Sequence, residues 1–269
     1  MRGSEALSEE KRPSAHPVLA LLELPRVAAD LVALGAASPI LRRAPKGDQH
    51  AVILIPGFLG SDRYNQALCK YLTSIGYDAS GWTLGRNLGP QDGVLVALEA
   101  RLLAKYCETG RKVSLIGHSL GGLYARLLAQ KHPDKVRLVL SLGSPISESL
   151  DSGKIVAKLF KMLNGAADPV QRAAVQLAPP VPTTAVYSRS DGIVHWRNAM
   201  QRDGHAECEN VAVYGSHSGL TFNAAVWWLL ADRLAQKEQK WQKFKPSGFL
   251  RSWYPLCQYK TEVVNPARS

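Results

Sequence analysis

From His50 onward, short apolar runs alternate with amphipathic stretches. The runs are AVILIP (51–56), DASGWTL (78–84), KVSLIG (112–117), RLVLSLG (137–143), TTAVYS (183–188) and NVAVYG (210–215). Their near-continuous apolar character suits strands buried on both faces. Between them, apolar residues recur at helical spacing over about 62–75, 92–109, 120–132 and 219–239. Strand and helix in alternation predict a parallel sheet with right-handed crossovers.

Two segments leave this rhythm. Residues 17–41 read as a helical segment with apolar Leu21, Leu24, Ala28, Leu31, Val32 and Ile40, broken by Pro25 and Pro39. Such a segment packs on the body or touches lipid, and packing is the plainer expectation. The stretch 144–182 holds an amphipathic pattern, KIVAKLFKML (154–163), a turn at Asn164 and Gly165, and a proline-rich return. That is longer than a connection between core strands requires, so it reads as a cap or lid. The expected organisation is an N-terminal tail and helix over 1–48, an α/β domain over 49–240 with the cap inserted at 144–182, and a basic tail over 241–269.

Composition narrows the class. An apolar fraction of 46% and a charged fraction of 20% in 269 residues describe a globular chain able to build one sizeable core. The net charge of +11 favours anionic partners, but the basic residues gather in RRAPK (42–46) and KEQKWQKFKPSGFLR (237–251), without zinc-finger, RNP or P-loop spacing. Nucleic acid is therefore not expected; solvated faces are the plain reading and peripheral contact with anionic lipid the functional one. The four cysteines, 69, 107, 208 and 257, lack any C-x-x-C pair, and Cys69 and Cys107 fall on helical patterns as buried thiols. Glu23, Pro25, Arg26 and Asp30 interrupt the N-terminal apolar run, so neither a signal peptide nor a membrane span is expected. The default location is cytoplasmic, with membrane contact at most peripheral.

Candidate chemistry centres on KVSLIGHSLGGLYARLLAQKH, where Ser119 lies between Gly117 and Gly121. A G-x-S-x-G pattern arises by chance in roughly one chain in ten of this length. Here a buried-strand pattern runs directly into it and a helix pattern directly out. That context predicts a serine on a strained strand-to-helix turn, with small neighbours to let the turn close. Serine needs a base, and the base an orienting acid. Asp191 follows the strand TTAVYS, and His217 follows NVAVYG. As alternatives, Asp191 could be a plain loop aspartate before Gly192, while His195 and His205 compete for the base role; Asp151, Asp168 and Asp203 lack a strand before them. His118 is expected to be structural and to point away. Two amides should form an oxyanion hole, Leu120 after the serine and Phe58 in LIPGFLGS, with Leu59 as the alternative donor.

These pieces, together with GRNLGP (85–90), LGSP, YSRSDGIV and GSHSGL, resemble the α/β-hydrolase superfamily, in its lipase and esterase-like branch. They span about 50–235. The resemblance implies an α/β-hydrolase fold and an acyl-ester hydrolase with Ser119 as nucleophile, Asp191 as acid and His217 as base, without metal or organic cofactor. Two departures stand out. Pro56-Gly57 replaces the His-Gly of many members, and a helix stands where the full fold has two antiparallel strands, so about six strands are expected. The resemblance implies a small-molecule ester or lipid as the substrate. Apolar cap residues such as Leu159 and Phe160, together with Trp82, suit a medium or long acyl chain. An acyltransferase of the same fold, or a non-catalytic lipid-binding or scaffold protein, are the competing readings; oligomeric state is not legible.

Overall fold

A computed structural model of the chain describes residues 16–146 and 176–255, and the backbone of 262–263. Six strands form one sheet: β1 (Ala51–Ile55), β2 (Asp78–Gly81), β3 (Val113–His118), β4 (Val136–Leu142), β5 (Thr183–Ser188) and β6 (Cys208–Val213). Their order is β2-β1-β3-β4-β5-β6 and every pairing is parallel. The helices are α1 (Pro17–Leu21), α2 (Glu23–Leu41), α3 (Asp62–Ser74), α4 (Val94–Thr109), α5 (Leu120–Lys131) and α6 (Ala224–Leu234).

The sheet separates two apolar layers, which is why its central strands have no polar face. On β1, Val52 and Leu54 join a cluster with Leu34, Tyr71 and Trp227, while Ile53 and Ile55 join Leu98, Leu123 and Tyr124 on the other side. The order reverses between β1 and β3, since β2 lies to one side of β1 and all later strands to the other. Loops leaving adjacent strands diverge there and open a crevice at their carboxyl ends.

Strand β2 stops at Gly81, short of the expected Leu84. Asp62, in the first turn of α3, accepts the amides of Trp82 (2.9 Å) and Thr83 (3.0 Å) and turns the chain away. The N-terminal segment differs more. Pro25 and Pro39 both lie inside α2, and the break falls at Leu22. Proline excludes a helical carbonyl four residues earlier, so the ring of Pro25 ends α1 at Leu21 while itself occupying the first turn of α2. Leu21, Leu24, Leu31 and Val32, expected to pack, are exposed; the buried face carries Glu23, Leu34, Ala37 and Leu41.

Residues 242–254 lie against α6. Phe244 donates its amide to Glu209 (2.7 Å), and the Tyr254 hydroxyl donates to the Ala225 carbonyl (2.8 Å). Cys107 is exposed on α4 and Cys69 half-buried, contrary to the expectation of two buried thiols. Residues 147–175, which include most of the expected cap with Asp151, Leu159, Phe160 and Asp168, lie outside the described residues.

Candidate active site

β3 passes into α5 through Ser119, whose backbone stands at φ 51°, ψ −119°. That conformation is unfavourable for a residue with a side chain and persists only where the surroundings impose it. Here Ser119 donates its amide to the Leu142 carbonyl (2.8 Å) and its own carbonyl accepts from Gly122 (3.0 Å). The turn closes only on bare backbone. A Cβ on Gly117 would lie 2.3 Å from the Gly121 carbonyl carbon, and one on Gly121 would lie 2.3 Å from the Ile55 carbonyl oxygen. Ser119 therefore caps the N-terminus of α5, where first-turn amides have no helical partner and the helix dipole favours negative charge.

Asp191 and His217 sit in the loops after β5 and β6. Asp191 Oδ2 and His217 Nδ1 are 2.7 Å apart, and Asp191 Oδ1 accepts the amides of Ile193 (2.8 Å) and Val194 (2.7 Å). Both side chains are buried. Burial alone disfavours the imidazolium, but the charge and hydrogen bond of Asp191, with the Glu23 charge behind them, outweigh it and hold the His217 pKa above its ordinary value. With Nδ1 donating to the carboxylate, Nε2 is the nitrogen left to accept a proton. His217 and Ser119 line one cavity of about 340 Å³, whose walls include Phe58, Leu59, Tyr64 and Ile193.

The loop after β1 supplies the opposite wall. A Cβ on Gly57 would stand 3.2 Å from the Ser119 Cβ, so glycine lets this backbone pass beside the serine. Leu59, at φ 61°, donates its amide to the Asn87 carbonyl (2.7 Å) and is thereby engaged; Phe58 is the remaining donor of the two. Buried Asn87 fixes this loop, donating its side-chain amide to the Pro56 carbonyl (2.8 Å) and its backbone amide to the Gly60 carbonyl (2.8 Å). Leu120, the first residue of α5, is fully buried.

The competing residues have other occupations. His195 Nδ1 accepts the Arg197 amide (3.3 Å) and caps a short 3₁₀ turn, while His205 bonds the Pro179 carbonyl (2.8 Å). His118 does not point away as expected: it lines the cavity, and its Nε2 donates to the His217 carbonyl (2.9 Å). Burial, with His217 nearby, pushes its pKa down to about 3, so it stays a neutral donor holding the backbone of the next loop. Trp82 is core, its indole bonded to the Gly85 carbonyl (2.9 Å), and does not reach the cavity.

Sequence reading missed the N-terminal contribution. The buried Glu23 carboxylate accepts the amides of Gly192 (3.0 Å), His217 (3.1 Å) and Ser218 (2.9 Å), joining the two loops that carry Asp191 and His217. Arg26 donates to Ser190 and to the Gly215 carbonyl, and Asp30 accepts from the Ser216 hydroxyl. These charges fall at i, i+3 and i+7, on one side of a helix. That spacing was the available signal, obscured because each charge also reads as an interruption of an apolar run.

Comparison with known proteins agrees with this architecture. The α/β-hydrolase fold family matches residues 107–191, a stretch that includes Ser119 and Asp191. No curated protein matches the chain. Among solved structures, Aspergillus fumigatus lipase B is similar over 71% of this chain and 54% of its own, with 17% identity and a TM-score of 0.53. The chain thus spans about half the length of that lipase. The metagenome-derived lipolytic enzymes LipS and LipT are represented by a chain with 15% identity and a TM-score of 0.52, covering 71% of this chain and 93% of that one. Paleococcus ferrophilus monoacylglycerol lipase has 15% identity and a TM-score of 0.51, with 70% and 96% covered. The fold is that of the α/β-hydrolases.

Proposed function

We propose that this α/β-hydrolase-fold chain is a serine hydrolase of carboxylic esters, with Ser119 as nucleophile, His217 as base and Asp191 as its orienting acid. One observation carries the reading. A serine held at φ 51° on a strand-to-helix turn shares a cavity with a histidine whose far nitrogen is bound by a buried carboxylate. In this reading Ser119 Oγ attacks the ester carbonyl carbon while His217 Nε2 takes the hydroxyl proton. The carbonyl π pair moves to oxygen, where the amides of Phe58 and Leu120 receive it. Collapse expels the alcohol, protonated by His217. Water, deprotonated by the same nitrogen, then attacks the acyl-serine and releases the acid.

The apolar wall of Phe58, Leu59 and Ile193 supports an acyl chain of medium length or a lipid-like ester, consistent with lipases being among the structures of similar fold. A fluorophosphonate probe should label the protein, and Ser119→Ala should abolish labelling. Labelling that survives in the variant would overturn the nucleophile. A series of p-nitrophenyl esters should show kcat/KM rising from acetate to medium chains, and product analysis with added alcohol separates hydrolysis from acyl transfer.

A further inference from the structure

Residues 17–41 carry three charges, Glu23, Arg26 and Asp30. All three are turned inward, onto the loops after β5 and β6. The outward side of α1 and α2 is thereby left uncharged, and its large side chains face solvent: Leu21 is 81% exposed, Leu24 80% and Val32 76%, with Val18 and Leu31 also exposed. This reverses the usual polarity of a surface helix, whose charged side faces water and whose apolar side faces the core. A contiguous apolar face of this kind marks a docking surface.

Two further observations select the occupant. The apolar face ends in exposed Arg42, Arg43 and Lys46, a cluster suited to anionic headgroups. α2 is also long and apolar enough to cross a bilayer, yet crossing would drag Glu23, Arg26 and Asp30 from their partners into hydrocarbon. The helix can therefore meet lipid only by lying on it. Its position favours this as well. The α1 backbone lies directly on Gly192, where an added Cβ would come within 2.4 Å of the Leu19 carbonyl carbon, and the neighbouring Ile193 and Val194 line the cavity.

We propose that the outer face of α1 and α2 docks on an anionic phospholipid surface, with Leu21, Leu24 and Val32 entering the acyl boundary and Arg42 and Arg43 meeting the headgroups. The proposal does not depend on ester cleavage, because Ser119 contributes nothing to this outer face, and Ser119→Ala protein should dock as well as wild type.

The test is cosedimentation of the full chain with phosphatidylglycerol-containing vesicles and with pure phosphatidylcholine vesicles, at low and high salt. Wild type should bind the anionic vesicles at low salt and lose affinity as salt rises. The double variant Leu24→Glu with Val32→Glu should bind at least about tenfold more weakly, and Arg42→Glu with Arg43→Glu several-fold more weakly. Thermal melts close to wild type would show that both variants remain folded. Absence of wild-type binding at low salt, or equal binding by the apolar variant, overturns the proposal. So does a wild-type dimer that the apolar variant converts to monomer, since the occupant would then be a second copy of the chain.

Discussion

Two Ser-His-Asp constellations occupy opposite ends of the same strand. At the end of β3, Ser119 shares a cavity with His217, which is bound to Asp191. At its start, Ser114 Oγ lies 2.8 Å from His50 Nε2, and His50 Nδ1 lies 2.5 Å from Asp48 Oδ1. The second trio is thus linked by hydrogen bonds throughout. Its surroundings are wholly different. Ser114 lies within β3, next to a shift in its register with β4 at Val113/Ser114, and both it and His50 are fully buried. Asp48 is shared with Arg111 (2.6 Å) and Arg137 (2.9 Å). Burial, with those two arginines, pushes the His50 pKa down to about 4, against the pull of Asp48. At His217 the charge and hydrogen bond of Asp191, with the charge of a second carboxylate, Glu23, outweigh burial, so the shift is upward. The two imidazoles are thus shifted in opposite directions. In the proposed reading, what distinguishes the Ser119 trio is the strained turn and the open cavity, and not the trio itself.

The largest effect should separate the two serines. Ser119→Ala should reduce ester turnover by about 10⁴-fold or more. Ser114→Ala should leave turnover within a few-fold and instead cost about 1–3 kcal/mol of stability, because a buried imidazole loses its partner. Turnover with graded esters and urea unfolding of both variants make the check; a comparable catalytic loss at Ser114 would dissolve the distinction. The aspartates should divide in the same way. Asp191→Asn should lower kcat by about 10⁴-fold, since the imidazole loses the acceptor that fixes its tautomer. Asp48→Asn should act on stability, by about 1–2 kcal/mol, a figure reduced because Asp48 is partly exposed.

The contrast also marks what a sequence can carry. All six strands begin within two residues of the expected positions; for those buried on both faces this is because such a strand leaves an uninterrupted apolar signature, whereas β2 is a half-buried edge strand. The placement of Ser119, Asp191 and His217 in the turns after strands was legible because each follows such a run. The buried trio was not, because Asp48 and His50 meet Ser114 only through the parallel pairing of β1 with β3, in which Val52 stands opposite Ser114. The part played by Glu23 was hidden for a related reason. A charge in an apolar helix reads as disruption until the partner surface, here three loop amides, is in view.

A smaller effect should appear in stability against pH. The unfolded chain protonates His50 near its ordinary value of 6.5, whereas the folded chain refuses the proton until about pH 4. Stability that is full above 6.5 is therefore lost as pH falls across that window, by up to about 3 kcal/mol. His217, raised in the folded state, has the opposite sign: its contribution is full below the ordinary imidazole value and is lost as pH rises through the folded one. Urea unfolding from acid to neutral pH should show a shallower acid-side loss in His50→Gln than in wild type. An unchanged acid slope in that variant would show that His50 does not titrate differently on folding.

The smallest effect concerns Glu23, and it decides whether the N-terminal helix acts on the chemistry or only on the fold. Its carboxylate binds three amides of the two loops and its charge helps to raise His217. Glu23→Gln keeps one carbonyl oxygen for those amides but removes the charge and presents a donor to at least one of them. Turnover should fall by about tenfold through kcat, with KM little changed, as expected when the acid and base loops lose alignment. A purely structural role predicts the same loss of turnover but no movement of the pH profile. A role through His217 predicts more. In the proposed mechanism the neutral base is the active form, so kcat/KM should fall as pH drops through the His217 pKa, and the acid limb of wild type should lie above the ordinary imidazole range. Removing the Glu23 charge should shift that limb to lower pH. Glu23→Asp, which restores charge with a shorter reach, should return the limb toward wild type while recovering kcat only in part. An acid limb that stays in place in Glu23→Gln would confine Glu23 to holding the loops.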